Sequence, residues 1–375
     1  NTDVRVCNLS YLATDWYIDQ MVRPAYDSPS LPISWKRYEY CSGTNDIVYV
    51  EPGLKQQVLD LYASNPQEAK EQWGEEPFEL RNVLDKWVKN IDPEMSDYHV
   101  IPTDTLYLTV DKNAVKKSGM MIPEGMEIPD KMVISLSGKR ALYKNDLMML
   151  EMLANHNWTR PLYVATTVGA DNFMNLGDNF IQEGLANRIT PFYTKDTEVE
   201  ELTGASNLRN FDTERTYNSV VKYYKFGGVS TKGIYLDETV MRMCYTHRRL
   251  LSTLASKLLA KGDKQKALKI ANICEKEIPA YNVPRTFQDQ GLLLATVYAQ
   301  TGDKAKAKAI ITDYLKYSEQ YMAYYSQLPH GANTSVNPML YIYMLGQCSE
   351  AAMDVDENWA NKLKSQALQL QEAYK

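Results

Sequence analysis

The sequence predicts an α/β domain over residues 1–230, followed by an all-α helical solenoid over residues 231–375. Short β-rich runs alternate with helical patterns in the front of the chain, which is typical of a mainly parallel sheet covered by helices. From Met241 onward the pattern is helical, and part of it recurs after forty residues. The Gly-rich stretch Gly227–Gly233 interrupts both periodicities, so we expect the boundary between the two domains there.

In the front domain, the predicted strands and helices follow one another along the chain. The strands are Val4–Leu9, Ile47–Glu51, Leu106–Val110, Met132–Leu136 and Pro161–Thr166. The helices are Asp15–Ala25, Leu54–Ala63, Glu79–Lys89, Asn145–Asn155, Phe180–Asn187 and Thr213–Tyr224. The apolar runs 133–136 and 162–165 suit central strands that are buried on both faces, so we expect Rossmann-like layers around them.

The back of the chain carries a repeated skeleton of small and apolar residues. Its first copy consists of Leu251, Leu254, Ala255, Leu258, Gly262, Ala267, Ala271 and Pro279. Its second copy consists of Leu294, Ala295, Tyr298, Gly302, Ala307 and Ile311. These spacings are typical of the tetratricopeptide helix-turn-helix, in which Gly separates two closely crossing helices. A third helix pair is predicted at Asn337–Met353 and Glu357–Tyr374, which would complete the roughly three repeats that a stable solenoid needs.

Composition and charge exclude several classes of protein. The 375 residues are 44% hydrophobic and 23% charged, and no apolar run approaches the ~20 residues of a membrane helix, so we expect a soluble chain. Residues 1–240 carry 24 Lys and Arg against 35 Asp and Glu, whereas residues 241–375 carry 17 against 12. The acidic front half argues against nucleic acid as a partner, because such binding depends on neutralising phosphates.

Neither the cysteines nor the familiar short motifs indicate a metal or a cofactor. Cys7, Cys41, Cys244, Cys274 and Cys348 show no CxxC pair and no zinc spacing, although Cys7 and Cys41 lie in one predicted domain and could form a disulfide. The sequence contains no HExxH, GxSxG, P-loop or GxGxxG motif. We therefore expect no cofactor and no metal site.

The end of the first predicted strand is a candidate ligand site. Asn8 and Ser10 end that strand, and Asp15 and Trp16 open the next helix. Ligands of parallel α/β sheets bind outside the carboxyl ends of the strands, so these four side chains could line a pocket. The alternative is structural: Thr14 or Asp15 caps the helix, and Trp16 and Tyr17 are buried against the sheet.

A second candidate site follows the strand Pro161–Thr166. Asp171 and Asn172 lie in the first of two Asp-Asn-Phe turns, and Glu183 and Arg188 follow on a predicted helix. Glu183 and Arg188 could lie beneath the pocket, and Asp15 with Asp171 or Glu183 could form a carboxylate pair for catalysis. The alternative is that the Asp and Asn side chains bond to their own backbone in turns and caps.

Tyrosine is over-represented, with 27 Tyr against 7 Phe, and many of these residues fall in one segment. Several recur at three- and four-residue steps, as on one face of a helix. The set consists of Tyr314, Tyr317, Tyr321, Tyr324, Tyr325, Tyr341 and Tyr343. No charged residue lies between Glu319 and Glu350. These tyrosines either pack between repeats or form an exposed aromatic surface that docks a sugar, a peptide or another domain.

Several segments of the front domain resemble one protein family. They are DVRVCNLS (3–10), TDWYIDQM (14–21), PIS (32–34), RPLYVA (160–165) and QEGLANR (182–188) followed by Pro191. In this order they are similar to a large bacterial family of polytopic membrane proteins, whose N-terminal part resembles protein O-mannosyltransferases of the C-type glycosyltransferase fold. Several members also end in tetratricopeptide-like repeats.

The resemblance implies a C-terminal, extracytoplasmic region that lies in the periplasm and is anchored through membrane helices upstream of this chain. In C-type enzymes the catalytic carboxylate lies near the first membrane helices, so the resemblance implies no catalytic residue here. It implies an accessory region that works beside the membrane-embedded part of the same polypeptide and binds an acceptor protein, a glycan or a partner. Two alternatives stay open: a carbohydrate-active α/β domain, and a free-standing periplasmic binding protein.

Overall fold

The computed structural model describes residues 2–89, 99–194, 210–328 and 339–373. By contacts within the chain, the protein divides into two compact units. The first consists of Asn1–Gln182, Ala186–Leu202 and Arg209–Phe211, and the second consists of Glu183–Leu185, Thr203–Leu208 and Asp212–Lys375. The main division therefore falls near residue 212. The predicted boundary between residues 230 and 231 separates domains that fold independently. Contacts within the chain do not test independent folding, so this boundary stays a prediction.

Within its described residues, the first unit contains short strands in three separate sheets. The strands are β1 (Ile47–Val50), β2 (His99–Ile101), β3 (Thr105–Thr109), β4 (Lys131–Ser135), β5 (Ala141–Tyr143), β6 (Tyr163–Ala165), β7 (Phe180–Glu183) and β8 (Ala186–Ile189). The sheets have the strand orders β2-β1-β5, β3-β4 and β6-β8-β7. Only the last residue of β7, Glu183, belongs to the second unit.

Strand pairing in the first unit is mainly antiparallel. β1 pairs with β2 in parallel, whereas β1 with β5, β3 with β4, and β6 with β8 are antiparallel. The predicted parallel sheet in Rossmann-like layers is therefore not confirmed. β4 shows the reason, because buried Met132 and Ile134 alternate with exposed Lys131 and Val133. Such alternation is typical of an antiparallel sheet with one solvated face, not of a central strand buried on both faces.

Seven α-helices lie among the described residues of the first unit. They are α1 (Asp15–Met21), α2 (Arg37–Tyr40), α3 (Leu54–Ser64), α4 (Pro66–Trp73), α5 (Leu80–Val83), α6 (Lys112–Lys117) and α7 (Lys144–Asn155). A π-helical turn, Leu84–Val88, continues α5. The predicted helices near Leu54, Glu79 and Asn145 are thus confirmed. α7 is the most deeply packed helix, because its apolar residues and three charged side chains, Lys144, Asp146 and Glu151, are all buried.

Two predicted elements of the first unit are wrong. Residues 4–9 form no strand, and Val4 and Val6 are 57% and 81% exposed. The alternation of apolar and polar residues there resembles a strand, but the segment pairs with no described strand. The helix predicted at Phe180–Asn187 is instead the two strands β7 and β8. Gly184 lies in the turn between them with φ = +70°. Glycine is favoured in this left-handed conformation, which does not occur in a regular strand.

Apart from the short segment Glu183–Leu185, the described regular structure of the second unit is helical. Its helices are α8 (Thr213–Tyr223), α9 (Glu238–Ala260), α10 (Lys264–Glu277), α11 (Leu292–Thr301), α12 (Lys304–Tyr325), α13 (Met339–Met353) and α14 (Glu357–Ala373). The last six form three consecutive pairs along the chain. The predicted third pair is confirmed within its described part, whereas residues 337, 338 and 374 lie outside the described residues.

The turns inside the first two pairs have the same construction. Gly262 and Gly302 end α9 and α11 with φ of +82° and +104°. The next residue caps the following helix in both cases: Asp263 accepts from the N–H of Lys266, and Asp303 accepts from the N–H of Lys306, at 3.0 and 2.9 Å. The repeated Gly-Asp of the sequence therefore corresponds to a repeated local structure.

Candidate functional site

The predicted site around Asn8 is a tight aromatic turn in the first unit. The ring centroids of Tyr11, Trp16 and Tyr17 lie 5.6 to 5.7 Å apart. The N–H of Asn8 donates to the Tyr17 hydroxyl at 2.8 Å, and its Oδ1 accepts from the N–H of Tyr11 at 3.2 Å. Ser10 is exposed and makes no capping bond. Of the two rings that the structural alternative buries, Tyr17 is 9% exposed and lies in the core, whereas Trp16 is 49% exposed, so burial is confirmed for Tyr17 and wrong for Trp16.

Asp15 lies beside a network of charged residues on α1 and α2. Its Oδ1 accepts from the N–H of Trp16 at 2.8 Å, and its Oδ2 lies 3.7 Å from Arg37. Asp19, one turn later, lies 3.1 Å from Arg37 and accepts from the Tyr40 hydroxyl at 2.8 Å. The Tyr40 hydrogen bond, with Arg37, holds the pKa of Asp19 below its usual range. An ionised carboxylate of this kind is no general acid at neutral pH.

Asp171 and Asn172 lie in an exposed 3-10 turn, Ala170–Asn172. The backbone N–H and the Nδ2 of Asn172 both donate to the carbonyl of Gly169, at 3.1 and 3.4 Å. The carbonyl of Asp171 accepts from Lys139 Nζ at 3.4 Å. These are contacts of a local turn, as in the structural alternative. A ligand-binding role for Asp171 and Asn172 stays a prediction.

Glu183 and Arg188 do not share a helix, because strands β7 and β8 occupy that segment. Glu183 belongs to the second unit, where its carboxylate lies 3.4 Å from Arg215. Arg188 belongs to the first unit, is 1% exposed, and donates to the carbonyl of Ser118 at 3.2 Å. The predicted placement of both residues beneath one pocket depended on that helix, and the helix is absent.

A polar cluster around Ser34 in the first unit is absent from the predictions made from the sequence. Its N–H and hydroxyl donate to the carboxylate of Glu151, at 2.8 and 2.5 Å, and Glu151 is 1% exposed on α7. Lys89 Nζ donates to the Ser34 oxygen at 3.2 Å and to Asp85 at 2.8 Å. A hydroxyl between a carboxylate and an ammonium group is held in one orientation, as nucleophilic hydroxyls are. Because Glu151 lies 117 residues from Ser34, no local sequence signal connects them.

The tyrosines predicted to share one surface divide into buried and exposed residues. Tyr314 and Tyr341 are each 1% exposed and belong to the core of the second unit. Tyr321, Tyr324 and Tyr343 are 38%, 56% and 66% exposed. The prediction of packing between helices therefore applies to the first two residues, and the prediction of an exposed surface applies to the last three.

Most of these rings form one cluster at the ends of α12 and α13. Tyr317, Tyr321 and Tyr325 surround Tyr341, with ring centroids 5.9, 4.8 and 5.7 Å from it. The rings of Tyr321 and Tyr341 are stacked, with 6° between their planes. Tyr324 extends the cluster, 5.3 Å from the ring of Tyr325. We call Tyr317, Tyr321, Tyr324 and Tyr325 the tyrosine surface.

The tyrosine surface presents uncharged rings with hydroxyl groups. Burial raises the pKa of Tyr341 above its usual range, and the same cause raises the pKa of Tyr317. Both phenols therefore stay protonated at neutral pH. Aromatic faces with a polar tip can stack on apolar side chains or sugar rings and donate hydrogen bonds at the edge of the contact. The chemistry of this surface is that of binding.

The thiols and carboxylates that the structure describes form no metal centre. Among the described residues, no three His, Cys, Asp or Glu side chains lie close enough to hold a metal ion. All five cysteines are free, so Cys7 and Cys41 do not form the disulfide that the sequence left possible. Burial raises the pKa of the Cys7 thiol to about 11, which makes it a poor nucleophile at neutral pH.

No described helix is both long enough and apolar enough to cross a membrane. A family model described as TMEM260-associated domain 2 matches residues 1–213 of the chain. The match extends over the described strands and helices of the first unit and ends at the first residue of α8. No curated protein and no solved structure matches the chain.

Proposed function

This chain belongs to the family of TMEM260-associated domain 2, and on that premise we propose that it is a non-catalytic accessory region of a membrane glycosyltransferase-like protein. It lies on the extracytoplasmic face of the membrane, in the periplasm, beside the membrane-embedded part of the same polypeptide. Its role is to hold an acceptor protein or a glycan near the transferase. The similarity of the front segments to O-mannosyltransferase-like membrane proteins supports this placement.

The proposal treats α9–α14 as a tetratricopeptide-like solenoid. Its support is the order of packing: α9 contacts α10 and α11, α11 contacts α12 and α13, and α13 contacts α14. The second helix of each pair also contacts the first helix of the next pair. Contacts limited to neighbouring repeats are typical of solenoids, which present extended surfaces to their partners.

The tyrosine surface is the observation that carries the proposal. Tyr321 and Tyr324 expose their rings in a segment without charged residues, and Tyr321 is held by its stack on buried Tyr341. An aromatic ring that is already fixed loses little conformational entropy when a partner covers it. Tyrosine is also among the residues that contribute most to binding energy at protein interfaces. These features favour recognition of a partner.

The surroundings of the front carboxylates also favour a role in binding. Asp15 lies near Arg37 in the first unit, and Glu183 lies near Arg215 in the second. A glycosidase mechanism needs two carboxyl groups on either side of one glycosidic bond. Each of these two carboxylates instead lies beside an arginine, as in a structural ion pair.

The experiment uses the full-length protein in its own membrane, with Tyr321→Ser and Tyr324→Ser combined. We expect glycosylation of envelope proteins, measured by mass spectrometry, to fall at least five-fold while the protein itself accumulates normally. Tyr343→Ser is the matched control, because Tyr343 is 66% exposed and its ring contacts no described ring of the cluster. Unchanged glycosylation and unchanged assembly of the double variant would contradict the proposal.

A further inference from the structure

Strand β4 has one paired edge and one open edge. The N–H of Leu136 donates to the carbonyl of Asp104 at 2.7 Å. In this register the backbone groups of the even-numbered residues of β4 face β3. Successive residues of an antiparallel strand direct their backbone groups to opposite sides. The N–H and C=O groups of Lys131 and Val133 therefore point away from β3. Among the residues that the structure describes, no strand pairs with this edge.

A groove of about 300 Å³ lies beside the open edge. Its apolar wall consists of Met126, Pro129, Val133, Pro191, Phe192 and Tyr193. Val133 and Tyr193 are each 59% exposed. The volume is at the lower limit of small-molecule pockets, which hold about 300–1,000 Å³. A peptide that adds to a sheet edge as a strand uses both features. The free main-chain groups of the edge provide affinity, and the apolar pockets beside it provide specificity.

Two charged residues line the groove in the described part of the chain, and only the acidic one has no ion pair there. Lys131 also lines the groove, but its Nζ is 2.8 Å from the carboxylate of Glu76 and 4.0 Å from the centre of the Tyr107 ring. Glu127 lines the same groove, is exposed, and makes no ion pair within the described part of the chain. A partner with a basic side chain at this position would complete the pairing of charges.

We propose that the open edge of β4 binds an extended polypeptide segment of another protein, which adds as a strand next to Lys131 and Val133. Its apolar side chains would enter the groove, and a Lys or Arg would face Glu127. The C-terminal end of the edge is closed, because Asn175 Nδ2 donates to the carbonyl of Ser135 at 3.2 Å. The added strand is therefore short. This inference does not depend on the tyrosine surface or on the proposed accessory role.

The test selects random dodecapeptides from a display library against the purified full chain. The strongest peptide is then labelled, and its binding is measured by fluorescence anisotropy. Val133→Pro removes an outward N–H without removing a ladder bond to β3, so we expect it to weaken binding at least ten-fold. Val133→Thr keeps the N–H and the strand preference, so it is the matched control and should change binding less than two-fold.

Two further variants keep the test decisive if Val133→Pro disturbs the sheet. Tyr193→Ala should weaken binding at least five-fold. Glu127→Gln should weaken binding by the same factor for a peptide that contains Lys or Arg. It should have no such effect on a peptide in which that Lys or Arg is replaced by Gln. The inference is overturned if no peptide is enriched or if the peptide binds all variants equally. It is also overturned if the edge pairs two copies of this chain, seen as a dimer that Val133→Pro dissociates in sedimentation.

Discussion

The hydroxyl of Tyr314 donates a hydrogen bond to the carboxylate of Asp289. The same carboxylate forms a buried ion pair of 2.6 Å with Arg248. Arg248 and Asp289 are fully buried. Arg248 also donates to the carbonyls of Ile278 and Val283, at 2.9 and 2.6 Å. This network fixes the connection between α10 and α11 and pairs the two buried charges with each other, although Arg248 Nε has no hydrogen-bond partner among the described residues.

Asp289→Asn should strongly destabilise the second unit. The substitution leaves the guanidinium of Arg248 buried without its counter-charge, which costs about 3–5 kcal/mol in other buried pairs. The free energy of unfolding from urea titrations, followed by far-UV circular dichroism, measures the loss. Glu238→Gln is the control, because it breaks an exposed ion pair with Arg242 and should cost less than about 0.5 kcal/mol. Equal losses in the two variants would show that the buried pair contributes no more than an exposed one.

The same network explains why Gly291 is glycine. A Cβ at this position would collide with the Tyr314 hydroxyl and lie 3.3 Å from both Arg248 Cδ and Asp289 Oδ1. Gly291→Ala should therefore lower the free energy of unfolding by about 1–3 kcal/mol, the usual cost of overpacking. Gly346→Ala is the matched control, because a Cβ there meets nothing within 4 Å inside α13. In a helix interior this change should raise the free energy of unfolding by about 0.5–1 kcal/mol. A stabilised Gly291→Ala variant would contradict the close approach.

The β7–β8 turn gives a second comparison between two glycines. Gly184 has φ = +70°, and a Cβ there would lie 2.6 Å from the hydroxyl oxygen of Tyr224. Gly125 has φ = +74° but nothing within 4 Å of its Cβ position. Gly125→Ala should therefore show only the left-handed strain of about 1–2 kcal/mol, whereas Gly184→Ala should cost more. Adding Tyr224→Phe to Gly184→Ala should recover the excess, as measured by the urea midpoint. An equal cost in the two Ala variants would mean that Tyr224 moves aside freely.

Local signals predicted the helices well and the strands only in part. α7 and the helix pairs of the second unit follow from apolar periodicity, and the caps at Asp263 and Asp303 follow from the repeated Gly-Asp. Residues 4–9 alternate like a strand, yet a strand exists only where a partner pairs with it. Phe180–Asn187 is short, and periodicity alone cannot distinguish a strand from a helix over so few residues.

The candidate site was less predictable, because its contacts join residues far apart in the sequence. Three- and four-residue spacing placed Tyr314 and Tyr321 on one helix face. It could not show that Tyr314 meets Asp289, 25 residues away, while Tyr321 stacks on Tyr341 at the surface. Ser34 and Glu151 are separated by 117 residues, and neither stands in a motif.

The stability of the first unit should depend on pH through His156. This residue is 4% exposed, and its Nδ1–H donates to the carbonyl of Leu153 at 2.7 Å. Burial lowers its pKa from 6.5 to about 4. The unfolded chain therefore binds a proton below pH 6.5 that the native protein does not bind until pH 4. The stabilising contribution is complete above pH 6.5 and is lost as the pH falls through this window.

Tryptophan fluorescence reports this unit, because Trp359 is the one tryptophan of the six that lies in the second unit. Between pH 7.5 and 5 the free energy of unfolding should fall about 2 kcal/mol more in the wild type than in His156→Gln. Thr159→Val, which removes a neighbouring hydroxyl and no titratable group, should keep the wild-type slope. The same slope in His156→Gln would show that His156 is not buried in its neutral form.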